Sequence, residues 1–221
     1  MRMKEPEMIP VKLMVFDLDG TLADTGADLA GSVNRALQSL GIPTRPDPEI
    51  LGFVGDGVRK LMERSLGDAY GDRFEEALKR FEGIYAEHLL DHTTLYPGVR
   101  DVLRHFGVKE KVLITNKTRD FTLTICSGLG IAGFFKDIIA GDSHEFMKPD
   151  PRLLLPLLEK FGAGPAETLV IGDGVNDILL ARNTGTRSCA FLNGLGNREK
   201  LLRLGPDFTI EKMIGLKEIA C

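Results

Sequence analysis

No run of about 18 apolar residues occurs in the chain, so no helix in it is expected to cross a membrane. Cysteine is scarce. Cys126, Cys189 and Cys221 are odd in number and scattered. They form no CxxC pair that would suggest zinc, and no framework that would suggest a secreted disulfide fold. The expectation is two buried thiols and one at the C-terminus, without a redox role. A basic tract is also missing. The 28 Lys and Arg are outnumbered by 32 Asp and Glu, which argues against nucleic acid as a partner. Near the N-terminus Lys4, Glu5 and Glu7 are charged, and Lys12 breaks the apolar run that follows. That is not the pattern of a signal peptide, so a cytoplasmic enzyme is expected. Internal repeats and low-complexity segments are absent as well.

The 221 residues suffice for one large domain, or for a core with a smaller insert. With 43% hydrophobic and 27% charged residues, the chain can bury an ordinary core and stay soluble. Val11 to Leu18 is a short run of strand formers that ends in Asp19-Gly20-Thr21, the usual opening of a buried parallel sheet. Helical patterns follow at Ala27 to Leu40, Val58 to Leu66 and Arg73 to Leu90. Pro43, Pro46 and Pro48 mark a loop between the first two, and Gly67 and Gly71 a turn between the last two. About 65 residues are thus predicted to be helical, enough for a small bundle.

Beyond Tyr96-Pro97-Gly98 strands and helices alternate. Strands are predicted at Val112 to Thr115, Asp137 to Ala140, Leu169 to Gly172, Ser188 to Leu192 and Asp207 to Ile210. Helices are predicted at Val99 to Phe106, Arg119 to Leu129 and Val175 to Thr184. Another begins at Pro151 with Asp150 as its cap, and Pro156 predicts a kink or restart inside it. Alternation of this kind gives a parallel, doubly wound α/β sheet with helices on both faces.

Four of the strands lead into polar residues: Asp17 and Asp19, Thr115 and Asn116, Lys148, and Asp173 with Asp177. Ligands of open parallel sheets bind at the carboxyl ends of strands, so these distant residues are expected to share one crevice. Crowded carboxylates repel one another and lose solvation, and a cation relieves both costs. Oxygen ligands without His or Cys point to Mg²⁺, which combines one or two carboxylates with waters and phosphate. Taken singly these signals are weak: Asp-Gly-Thr is a common turn, Thr115 and Lys148 suit structural roles, and Asp177 suits the first turn of a helix. The spaced string Asp17, Asp19, Gly20, Thr21 is stronger, arising by chance about once in a thousand chains of this length. Asp17 and Asp19 lie two apart, so in extended backbone their side chains share a face.

In order and spacing these strings resemble the haloacid dehalogenase superfamily. DLDGTLADT at 17–25 matches its first motif, LITN at 113–116 the second, KPDP at 148–151 the third and GDGVND at 172–177 the fourth. VGDGVRKLMERSLG at 54–67, YPGV at 96–99, TNK at 115–117 and GPDF at 205–208 resemble the phosphoglycolate phosphatase branch. The resemblance implies a Rossmann-like core at 1–24 and 93–221 and an all-helical cap domain at 25–92. It implies a magnesium-dependent phosphatase acting on a small phosphorylated metabolite, 2-phosphoglycolate being the foremost candidate, in a monomer or homodimer. Asp17 would be the nucleophile and a Mg²⁺ ligand, and Asp19 the general acid and base, with its carbonyl on the metal. Thr115 and the amide of Asn116 would hold phosphate oxygens and Lys148 would brace them. Asp173 would bind the metal directly, and Asp177 would act through a metal-bound water or Lys148.

Gly20 would let the chain turn after Asp19. Gly52, Gly55 and Gly57 precede the helix at Val58, where backbone amides could meet an anion, and Arg59 or Lys60 could pair with a substrate carboxylate. The alternatives are a plain interhelical loop and a solvated helix face. The presence of Asp19 argues against dehalogenation, since dehalogenases of the superfamily lack it. A sugar-phosphate mutase, a pyrophosphatase and a non-catalytic binding protein remain compatible with the same scaffold.

Overall fold

The computed structural model describes residues 8–221; Lys4, Glu5 and Glu7, on which the signal-peptide reading rests, and the start of the expected core segment lie outside them. The strands are β1 Leu13–Phe16, β2 Ala23–Asp24, β3 Thr94–Leu95, β4 Glu110–Ile114, β5 Asp137–Ile139, β6 Thr168–Gly172, β7 Arg187–Phe191 and β8 Phe208–Ile210. The helices are α1 Gly26–Ser39, α2 Asp47–Leu51, α3 Val58–Leu66, α4 Phe74–His88, α5 Val99–His105, α6 Arg119–Gly128, α7 Leu155–Phe161, α8 Val175–Thr184 and α9 Arg198–Arg203.

Six strands form one parallel sheet in the order β5-β4-β1-β6-β7-β8. The chain builds outward from β1 to one side and then to the other, so the direction of winding reverses beside β1. That reversal opens a crevice at the carboxyl end of β1, between β4 and β6. β1 is buried along its whole length, as an interior parallel strand covered on both faces must be. Its residues alternate. Met14 and Phe16 join the core that includes Leu113, Ile171 and Phe191, whereas Leu13 and Val15 pack with Val112, Leu157 and Leu180 on the opposite face.

The segment from α1 to α4 holds helices joined by turns and loops, with no strand among them. It enters and leaves the sheet domain at a two-stranded antiparallel ribbon, β2 with β3. Asp28 ties the two ends together, accepting hydrogen bonds from the backbone amides of His92 and Thr93 and from the Thr93 hydroxyl. The apolar faces of α1 and α4 lie against each other and continue the Met14 core without a break.

Several local details differ from the sequence expectations. The proline-marked loop contains α2, because Pro48 falls in its first turn, where a missing amide costs nothing. The Gly67–Gly71 turn winds as a 3-10 helix over Asp68–Arg73. Asp150 caps only a short 3-10 turn, Pro151–Leu153. The helix proper restarts at Leu155 with Pro156 in its first turn, the restart that Pro156 was expected to impose. α9 and the β2–β3 ribbon had no counterpart in the sequence reading. Cys126 and Cys189 are buried and Cys221 is exposed. Among the described residues no helix is long and apolar enough to cross a membrane.

Candidate active site

Asp17 follows β1 directly, and its backbone amide still pairs with the Ile171 carbonyl of β6. The carboxyl therefore projects from the end of the central strand into the crevice. Lys148 Nζ lies 2.7 Å from Asp17 Oδ1 and 2.6 Å from Asp177 Oδ1. The contact with Asp177 is a hydrogen bond. The contact with Asp17 lies off the hydrogen-bonding direction and leaves Oδ1 without a hydrogen bond among the described residues. Burial pushes the Asp17 carboxyl up to about 6, with Lys148 opposing that effect. Burial alone would lower Lys148, but Asp17 and Asp177 raise it, so it stays charged.

Asp173 sits at the end of β6. Its Oδ1 accepts from the Thr21 hydroxyl at 2.6 Å, and its Oδ2 from the amides of Leu195 and Gly196 at 2.8 and 2.9 Å. Burial, reinforced by the neighbouring Asp17, pushes it up to about 8. Asp177, in the first turn of α8, reaches back to the Gly174 amide with Oδ2. Gly20 permits the tight arrangement: its φ is +79°, and a Cβ there would clash with Asp173 Oδ2.

The carboxylates of Asp17, Asp173 and Asp177 each offer an oxygen within 4.8 Å of the others. Three acidic groups, one buried oxygen held by an ion pair but without a well-directed hydrogen bond, and no His or Cys ligand suit a hard cation such as Mg²⁺. The side chain of Asp19 is engaged elsewhere. Its Oδ1 accepts from Thr25 at 2.7 Å, and Lys117 Nζ reaches Oδ1 at 2.9 Å and Oδ2 at 3.1 Å. The Asp19 carboxyl is thus committed to Thr25 and Lys117 rather than to the acidic cluster.

Thr115 follows β4, and its hydroxyl oxygen accepts from the Lys117 amide. The Asn116 side chain brackets Lys148, accepting from its amide at 2.8 Å and donating to its carbonyl at 3.1 Å. Among the described residues the backbone amides of Asp19 and Asn116 have no acceptor. A cavity of about 940 Å³ joins these groups to the helical insert and includes Gly55, Gly57, Arg64 and Tyr85 in its wall. The loop before α3 is latched to the core: the Gly55 carbonyl accepts from Asn116 and Asn176, and Asp56 accepts from Asn176 at 2.8 Å.

Arg59 does not belong to this wall. It lines a neighbouring depression, pairs with Glu75 and lies over the Phe74 ring. The reason is helical geometry: Arg59 stands on a different face of α3 from Arg64, which the helix turns toward the cavity. Lys117, Tyr85, Asn176, Arg64 and the Leu195–Gly196 amides were not singled out by the sequence reading. TNK and the glycine pair Gly194 and Gly196 were the available signals.

The parallel sheet thus carries acidic side chains at its switch point, beneath a helical insert, an architecture found among hydrolases. The sequence profile of the haloacid dehalogenase-like hydrolases matches residues 14–191, and the chain belongs to that family. It is 35% identical over 216 residues to a phosphoglycolate phosphatase of Chromobacterium violaceum, covering 95% of this chain and 96% of that one. It is 38% identical over 184 residues to a phosphoglycolate phosphatase of Thiobacillus denitrificans, covering 80% and 81%. The crystal structure of a predicted phosphoglycolate phosphatase from Haemophilus somnus 129pt is similar with a TM-score of 0.91 at 28% identity, over 96% of this chain and 98% of that one.

Proposed function

We propose that this phosphatase hydrolyses a small phosphomonoester, 2-phosphoglycolate foremost, in two displacements through an aspartyl phosphate on Asp17. The observation that carries the reading is the cluster at the end of β1, where Lys148 bridges Asp17 and Asp177 beside Asp19 and Asp173. The choice of phosphoglycolate rests on the relatives of that name, which match this chain over nearly its whole length.

A carboxylate is a weak nucleophile and gains from position. Asp17 is fixed by the sheet at its amide and by Lys148 at its carboxyl, and proximity of this kind lowers barriers by up to roughly 7–11 kcal/mol in ideal cases. An Asp17 oxygen forms a bond to phosphorus while the ester P–O bond breaks, and Asp19 gives its proton to the departing oxygen. Water then attacks the phosphorus, Asp19 takes the water's proton, and the Asp17–phosphorus bond breaks to release phosphate. Lys148, the Thr115 hydroxyl and the Asn116 amide face the charge that spreads over the phosphoryl oxygens. Mg²⁺, held by Asp17, Asp173 and the Asp19 carbonyl with Asp177 beside them, would supply positive charge to the same oxygens.

The test is phosphate release from a panel of small phosphomonoesters, with Mg²⁺ and with EDTA, for the wild type and Asp17→Asn. Release that needs Mg²⁺ and is lost in Asp17→Asn is expected. A kcat/KM for 2-phosphoglycolate no better than for a generic aryl phosphate would sink the substrate assignment. Absence of release from every ester by folded, metal-supplied protein would sink the mechanism.

A further inference from the structure

We propose that Lys117 and Tyr85 are positioning residues for the acid–base carboxyl Asp19, and that through them proton transfer depends on the seating of α4. This rests on the phosphatase reading above.

Lys117 is buried, with a side chain only 5% exposed, and it stands two residues beyond Thr115 at the floor of the crevice. A lysine ammonium has three donors and no acceptor. Here it contacts Asp19 Oδ1 at 2.9 Å, Asp19 Oδ2 at 3.1 Å and the Tyr85 hydroxyl at 2.8 Å. These contacts turn Lys117 toward Asp19 and Tyr85, whereas Lys148 turns toward Asp17 and Asp177. Its work is internal. Two contacts to one carboxyl, with Thr25 on Oδ1, fix both the position and the plane of the Asp19 group.

Tyr85 brings the other half of the molecule into this arrangement. It lies on α4, within the helical insert, and is fully buried. Its ring stacks on Phe81 with centroids 5.3 Å apart and meets the edge of Phe121, from α6 of the core, at 5.0 Å. Its hydroxyl is the only hydrogen-bond partner of Lys117 Nζ, among the described residues, that comes from the insert, and Nζ also lies 4.7 Å from the centre of its ring. If α4 lifts, Lys117 loses this partner and the ring wall beside it, and the geometry of Asp19 loosens.

The consequence is chemical. An alkoxide leaving group needs a proton in the first displacement, whereas 4-nitrophenolate leaves without one. General acid–base catalysis is worth about 10²–10⁴-fold. A variant that misplaces Asp19 must therefore lose more on alkyl esters than on aryl esters. A merely structural defect lowers both alike.

The experiment compares kcat/KM for 2-phosphoglycolate, for 2-glycerol phosphate and for 4-nitrophenyl phosphate in the wild type, Lys117→Met and Tyr85→Phe. Lys117→Met is expected to lower the alkyl-to-aryl ratio by about tenfold or more, and Tyr85→Phe, which removes a single hydroxyl, by a few-fold in the same direction. If Lys117→Met does not fold, Tyr85→Phe carries the test. An unchanged ratio in the folded variants, with the wild type active on both kinds of ester, overturns this inference alone. A wild type inactive on all three esters overturns the phosphatase reading, and this inference with it.

Discussion

The side-chain amide of Asn116 donates to the carbonyl oxygen of Gly55 at 2.9 Å, so a residue at the end of a core strand holds the loop that covers the site. The same side chain brackets the backbone of Lys148. Asn116→Ala is expected to remove all three contacts, cost about 1–3 kcal/mol of stability and lower kcat/KM by tenfold or more. Asn176→Ala loosens only the loop and is expected to raise KM more than it lowers kcat. Thermal melts together with steady-state kinetics separate the two effects.

The raised carboxyls give a pH signature. An acid whose pKa is higher in the folded chain keeps its proton longer when folded. Asp173 therefore supports the fold fully below its ordinary value of 3.8 and loses that contribution as pH rises through about 8. Asp17 behaves alike over the narrower window up to about 6. Metal-free protein is expected to lose thermal stability between about pH 5 and 8. Because a divalent ion takes the deprotonated carboxylates, added Mg²⁺ is expected to raise Tm more at pH 8 than at pH 5. Calorimetric scans with and without Mg²⁺ at several pH values check this.

Gly20 tests the packing of the metal site. Gly20→Ala places a methyl group into the Asp173 carboxylate and forces a left-handed backbone on a residue that resists it. The backbone alone costs about 1–3 kcal/mol. Loss of Mg²⁺-induced stabilisation is expected beside the fall in Tm, measured by titrating metal into the folded variant.

Two arginines on one helix should behave differently. Arg59 and Glu75 form an exposed pair of the kind worth about 0–1 kcal/mol, so Arg59→Ala is expected to leave kcat/KM within about twofold. Arg64 lies in the cavity wall and is paired with Asp56 at 2.6 Å. Arg64→Ala is expected to reduce kcat/KM for a carboxylate-bearing ester about tenfold more than for a neutral one, as the loss of one charge-assisted hydrogen bond predicts. A matched pair of esters reads the difference directly.

The sheet was legible in the sequence because interior parallel strands are apolar on both faces, and VKLMVFDL and TLVIGD advertise that pattern. α3 and α8 were legible to the residue, since glycines flank both of them. The β2–β3 ribbon was not, because two-residue strands carry no periodicity. Asp17, Thr115 and Asp173 stand directly after strands, where polarity breaks an apolar run. Lys117 and Tyr85 lack that signal. A lysine in a polar turn and a tyrosine on a helical apolar stripe look ordinary until the fold brings them within 2.8 Å of each other. Leu195 and Gly196 act through their amides, which no side-chain pattern reveals.

The helices over the site leave and rejoin the sheet at one ribbon, with Asp28 clasping the two ends. A segment attached in this way can diverge, lengthen or be exchanged during descent without disturbing the register of the six parallel strands. Heritable change in the insert is thereby largely uncoupled from change in the sheet, except where Tyr85 reaches down to Lys117 and where Asn116 and Asn176 hold the loop before α3. At those joints the two histories must be kept in step.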